Sequence, residues 1–202
     1  AERSVELPDG IEVVRCVQAH DLVREGAHQF ETILRSHRHG ANENLRLTRA
    51  HGGFHIPYTF TPDGTRVLFT DFRDYADQDI RAVDVQTPAV EPVLTDRAAE
   101  VHPSISRDGR WLAYQSDESG RFEVYLRPWP EVTRARWQVS VDGGTSPTWR
   151  RDGAEMVFAS GATLMTVSFR GGATPHLGAP RPLFAVASTG ERLGPQFDIT
   201  PD

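Results

Sequence analysis

A turn recurs along this chain at nearly even intervals. "FTPDGTRVLFTDF" (60–72), "ISRDGRWLAYQSD" (105–117) and "WRRDGAEMVFASG" (149–161) each place an Asp-Gly corner between short runs rich in Phe, Val, Leu and Trp. Asp63 to Asp108 is 45 residues, and Asp108 to Asp152 is 44. Asp152 to Asp202, in the closing "ITPD", is 50, and Asp9 of "LPDG" lies 54 residues before Asp63. A period of about 40 to 50 residues with β character marks a propeller or a related array.

The copy from His102 onward shows the unit. "HPSIS" reads as a strand and "RDG" as its turn, with Gly109 free to take the left-handed conformation of a tight corner. "RWLAYQS" is a second strand, Trp111 and Ala113 on one face, Leu112 and Tyr114 on the other. "RFEVYLRPW" and "RWQVSV" follow as a third and fourth. The preceding copy reads "YTFT", "RVLFTDF", "DIRAVDV", "EPVLTD"; the following one reads "PTWR", "AEMVFAS", "TLMTVSF", "RPLFAV". The N-terminal copy is degenerate: "SVEL", "IEVVRCV", "QFETILRS", "NLRLTR", with "QAHDLVREGAH" as a loop or helical turn. The expected fold is therefore all-β. It is a propeller of four-stranded antiparallel blades over roughly 1–50, 55–98, 101–143 and 145–188, with an orphan strand at 195–202, all in one domain. A lone four-stranded sheet cannot cover both apolar faces; stacked neighbours bury them, at about 25 cal/mol per Å² of apolar surface.

Composition narrows the partners. The formal net charge is −6, which argues against a nucleic-acid footprint or a polybasic membrane patch. All 22 basic residues are Arg, so Schiff-base and P-loop lysine chemistry is excluded. Cys16 is the only cysteine; it allows no intramolecular disulfide and no cysteine zinc site, and its setting "EVVRCVQ" reads as a strand holding a buried thiol. No run approaches the length of a membrane-spanning helix, and no signal peptide is expected from the opening residues.

The repeat "ISRDGRWLAYQSDESGRFEVYLRP" resembles the TolB-type β-propeller repeat almost position for position, Arg107 standing where that family usually has Pro. "FTPDGTRVLFTDF" and "WRRDGAEMVFAS" match its first half. From Val124 to Phe184, "EVYLRPWP", "WQVSVDGGTSPTW" and "PRPLF" look similar to propellers fused behind bacterial Ser/Thr kinases and transcriptional regulators. The resemblance covers residues 45–202 well and 1–44 weakly. It implies a family whose rings are usually six-bladed and serve as docking platforms, sensors or gating domains of prolyl-oligopeptidase-like hydrolases. About four blades are visible here, where a six-bladed ring would need about 270 residues. The ring is thus a part, a small ring, or one completed by a second copy.

The turn aspartates Asp63, Asp108 and Asp152 recur at the structural period, so they read as turn formers, not as catalytic carboxylates. "SHRHGANENLRLTRAHGGFHIPY" gathers His37, His39, His51 and His55, and imidazoles suit a divalent transition metal. Some propeller lyases of the superfamily carry a metal on channel histidines, but no Asp or Glu here completes a recognised ligand spacing. His102 and His55 each lie just ahead of a Pro, which suggests that both approach a channel mouth. Those two with Tyr58 and Trp129 form the candidate binding set, and Tyr75 is a further loop aromatic. No G-x-S-x-G, H-E-x-x-H, P-loop or G-x-G-x-x-G occurs. The expectation is a non-catalytic, cofactor-free module for a protein or peptide partner, or for a second copy of itself, in the periplasm or elsewhere outside the cytoplasm by family habit, with the cytoplasm as the alternative. It could be a segment of a regulatory kinase's extracytoplasmic part. The alternative is a propeller lyase or hydrolase using channel histidines and a divalent metal.

Overall fold

The computed structural model describes residues 13–16, 33–36, 45–48, 53–73 and 78–185. They fall in two compact units, Ala1–Arg97 and Ala98–Asp202. Every described element is a strand and the described residues contain no helix; no helix among them is long and apolar enough to cross a membrane. The expected "QAHDLVREGAH" turn and "QFDITPD" strand lie outside the described residues.

Among the described residues the first unit holds two antiparallel sheets. β1 (Val13–Cys16), β2 (Ile33–Ser36) and β3 (Leu45–Arg46) form one, and Cys16 falls in a strand as expected. β4 (Phe54–Phe60), β5 (Arg66–Phe72), β6 (Gln78–Asp84) and β7 (Val90–Leu94) follow one another as a four-stranded blade. Alternation sends Val67 and Phe69 to one face, where they join Leu47, Val83 and Val85, with Phe60 at the margin. Among the described residues the second unit holds two blades. β8 (Glu100–Ile105), β9 (Trp111–Ser116), β10 (Glu123–Pro128) and β11 (Trp137–Gln138) make one. β12 (Thr145–Trp149), β13 (Glu155–Ser160) and β14 (Thr163–Arg170) make the other, with β15 (His176–Leu177) and β16 (Arg181–Ala185) sharing the outer edge of β14.

The expected fourth strand "RWQVSV" shrinks to two residues. The amides of Val139 and Ser140 both turn to Val124 O, at 2.8 and 3.4 Å, and the ladder ends there. Conversely, β14 is long enough to pair twice, so its blade gains a short strand that the sequence pattern does not reveal.

The recurring corner is one structure built three times. Thr61 N bonds Arg66 O, Ser106 N bonds Trp111 O, and Arg150 N bonds Glu155 O, at 2.9–3.0 Å. Gly64, Gly109 and Gly153 lie at φ 69°, 68° and 71°, where a side chain would be strained. Inside the corner Asp63 accepts from Thr61 Oγ1 (2.5 Å) and Thr65 N (3.1 Å), and Asp108 from Ser106 Oγ (2.6 Å) and Arg110 N (3.1 Å). Asp152 accepts from Ala154 N at 3.0 Å, with the Arg150 guanidinium replacing the missing hydroxyl. The aspartates are turn formers, as their period implies.

The two blades of the second unit are locked face to face. Trp111, Ala113, Val124 and Leu126 from one meet Trp149, Met156, Phe158 and Val167 from the other. Trp111 and Trp149 both stand edge-on to Phe169, centroids 5.6 and 4.8 Å apart, the arrangement that ring quadrupoles favour. Two polar stitches cross the same face: Ser146 N donates to Gln115 Oε1 at 2.8 Å, and Trp149 Nε1 to Ser104 O at 3.1 Å.

Candidate functional site

Counting eight residues back and eight forward from each turn aspartate finds the same place in every blade. From Asp63 these are His55 and Asp71, which face each other across β4 and β5, with Asp79 of β6 next along. From Asp108 they are Glu100 and Ser116, with Glu123 of β10 beyond. From Asp152 they are Gly144 and Ser160, with Thr163 of β14 beyond. The first two rows are polar and buried, none of their six residues more than 9% exposed.

In the β4–β7 blade the row is ionic. His55 Nδ1 is 2.8 Å from Thr48 Oγ1, and Nε2 is 3.2 Å from Asp71 Oδ1. Arg81 Nε lies 2.9 Å from Asp71 Oδ2, a close ion pair whose N–H points off the oxygen and makes no linear hydrogen bond. Arg73 flanks Asp71 at 3.5 Å and also grips Asp79, which Arg81 Nη2 reaches at 3.3 Å. Burial pushes the Asp71 carboxyl upward. The hydrogen bond and charge of His55, then the guanidiniums of Arg81 and Arg73, outweigh it and hold the group below the usual carboxylate range.

Hydroxyl, imidazole and carboxylate in series is the composition of a hydrolytic relay. Here the series is engaged at each link: both ring nitrogens of His55 have partners, and Thr48 is only 4% exposed. The arrangement fixes the imidazole and balances two buried aspartates against two arginines.

The β8–β11 row works differently. Glu123 accepts from Arg121 Nε at 2.7 Å, from Gly143 N at 3.0 Å and from Ser140 Oγ. Ser140 Oγ in turn accepts from Val124 N at 2.7 Å. Its carboxylate thus ties the β9–β10 turn to the segment leading into the next blade. In that next blade the row starts at Gly144, where a Cβ would lie 2.4 Å from Ser140 Oγ. A glycine there lets Glu123 and Ser140 close.

The expected binding residues divide between the units, His55 and Tyr58 in the first, His102 and Trp129 in the second. His55 is buried in the ionic row. His102 does not occupy the matching position, which is Glu100's; it sits two residues on, in the bulge between Val101 and Ser104, at φ 54° and 9% exposed. The bulge shifts register, so nearness to Pro misaligns the two histidines. Tyr58 lies half-buried in the β4 bulge between Pro57 and Thr59. Trp129 is half-buried at the end of β10, its amide held by Arg110 O at 2.8 Å. His37, His39, His51 and Tyr75 lie outside the described residues. Among the described residues no group of three or more His, Cys, Asp or Glu is placed to hold a metal ion.

No family model matches this sequence, and no curated protein does. Solved structures do. TolB from Acinetobacter baumannii superposes with a TM-score of 0.60 at 20% identity, over 75% of this chain and 37% of its own. A structure from a study of two prolyl endopeptidases gives 0.62 at 13%, over 92% and 30%. An oligogalacturonate lyase in complex with manganese gives 0.56 at 15%, over 76% and 43%. This chain spans less than half the length of each. Likeness at these identities establishes the fold, a TolB-type β-propeller seen in part.

Proposed function

On this propeller fold, we propose a non-catalytic binding or sensory module, a single β-propeller domain that presents rigid loops to a protein or peptide partner outside the cytoplasm. One observation carries the reading. The recurring polar residues are engaged in holding blades and corners, as Asp63, Asp108, Gln115 and Glu123 show, while arginine and tryptophan side chains stand at the blade ends on firmly pinned turns. A preorganised loop set loses little entropy on binding. Likeness to TolB supports the reading at the level of fold. The test is a peptide-display selection against the immobilised full chain, followed by affinity measurement. Peptides whose binding is lost in Trp129→Ala, with the variant's circular dichroism unchanged, support the proposal; a selection that enriches nothing sinks it.

A second reading, a lyase or hydrolase using histidines and a divalent metal, draws on the His55–Asp71 pair and on the manganese-bound lyase among the similar structures. Titration calorimetry with Mn²⁺ and Zn²⁺ decides it: no heat at micromolar protein ends the metal version.

A further inference from the structure

The second unit is electrically lopsided along its strands. The end that carries the Asp-Gly corners comprises segments 105–111, 127–137, 149–155 and 168–176, which contain eight arginines and four carboxylates. The opposite end, segments 98–101, 115–123, 139–146 and 160–163, contains five carboxylates and one arginine. The two ends also differ in how far their charges are used. At the acidic end Glu123 is buried in its row, Asp117 caps Ala99 N at 2.9 Å, Glu118 pairs with Arg136, and Asp142 with Arg121. At the basic end Arg110 and Arg150 are occupied by the aspartates of their own corners, Arg136 reaches Glu118, and Arg127 bonds the Tyr114 hydroxyl and Val132 O. Arg107, Arg134, Arg151 and Arg170 are exposed and form no ion pair with any described residue. Arg107 and Arg151 hold the same place in successive corners, just before the turn aspartate, and the half-buried Trp129 belongs to the same β10–β11 loop as Arg134.

We propose that this arginine end of the second unit is a docking surface for an acidic, Asp/Glu-rich segment of a separate protein partner. Guanidinium groups on rigid turns are spaced forks for carboxylates, and free exposed arginines beside a tryptophan have the composition of an interface anchor. A second copy of this chain is a poorer occupant, because its acidic end has its carboxylates engaged. An extended polyanion such as an anionic membrane or nucleic acid also meets the rest of a chain of net charge −6, whereas a short acidic segment meets this end alone. This inference rests on the binding-module reading and specifies its partner.

The experiment uses the full chain and a fluorescein-labelled glutamate-rich peptide, read by anisotropy, beside a lysine-rich peptide of equal length. The glutamate-rich peptide binds, the lysine-rich one does not, and affinity falls as salt rises through about 0.15 M, where screening becomes strong at about 8 Å. R107E/R151E weakens binding about tenfold, as two exposed ion pairs turned into like-charge contacts would. The matched pair R97E/R181E makes the same charge change at two other exposed arginines and leaves affinity within about twofold. Equal losses in both variants, or no binding by the native chain, overturn the proposal. So does preferential binding to phosphatidylglycerol vesicles, or salt-sensitive self-association abolished by R107E/R151E. Display-selected peptides that bind R107E/R151E undiminished leave the module reading standing while this surface falls.

Discussion

The rows His55–Asp71–Asp79 and Glu100–Ser116–Glu123 occupy one register position in two blades, yet they solve burial of charge by different means. The first neutralises aspartates with arginines from its own strands and anchors a histidine to a threonine. The second gives a glutamate one arginine from its own turn and hands the rest of the carboxylate to backbone and hydroxyl donors on the segment that opens the next blade. One is a balance of opposite charges within a sheet; the other is a clasp between sheets. The fold requires a charged answer at neither place, since Gly144–Ser160–Thr163 fills the same position without charge. A buried ionic row is costly to desolvate, and removing one partner leaves the others stranded.

The contrast can be broken most sharply at Asp71. Asp71→Ala strands Arg81 and His55, and urea unfolding is expected to show a loss of about 3 kcal/mol. Gly144→Ala comes next, at about 2 kcal/mol, because Ser140 is fixed by two hydrogen bonds and cannot yield to the new methyl group. Glu123→Gln keeps the shape but loses charge-assisted bonds, for about 1.5 kcal/mol in the same assay; a larger loss than at Asp71 would reverse the contrast. The smallest effect is on acid stability. The Asp71 carboxyl is held below its ordinary value of 3.8 in the fold, so its contribution is complete above that pH and drains away as pH falls toward the depressed value. Asp71→Asn therefore flattens this part of the acid limb of stability against pH.

Much of this was legible in the residues. The Asp-Gly period locates the corners, and alternation assigns Trp111 and Ala113 to one face and Leu112 and Tyr114 to the other, both of them buried. The polar rows were harder, because Asp71 and Glu123 look like solvent-facing members of amphipathic strands. For Asp71 the signal is positional, a polar residue eight places from the turn aspartate, as Ser116 is from Asp108; Glu123 lies fifteen places on, opposite Ser116 across the hairpin. The match of His55 with Glu100 was hidden by the bulge at His102, which depends on backbone geometry that spacing does not encode. The tilted contact of Tyr114 with Tyr125 at 5.8 Å, with Arg127 bonding the Tyr114 hydroxyl at 2.8 Å, is likewise set by cross-strand register. Burial pushes that hydroxyl up to about 12 against the opposing effect of Arg127.

The bond from Ser146 to Gln115 has a bearing on how such a chain can grow. Donor and acceptor belong to consecutive repeats, so a duplicated copy arrives with only half of the fastening. A newly inserted blade must supply an acceptor for the neighbour ahead and a donor for the one behind, which ties together the histories of adjacent copies even where their surfaces diverge.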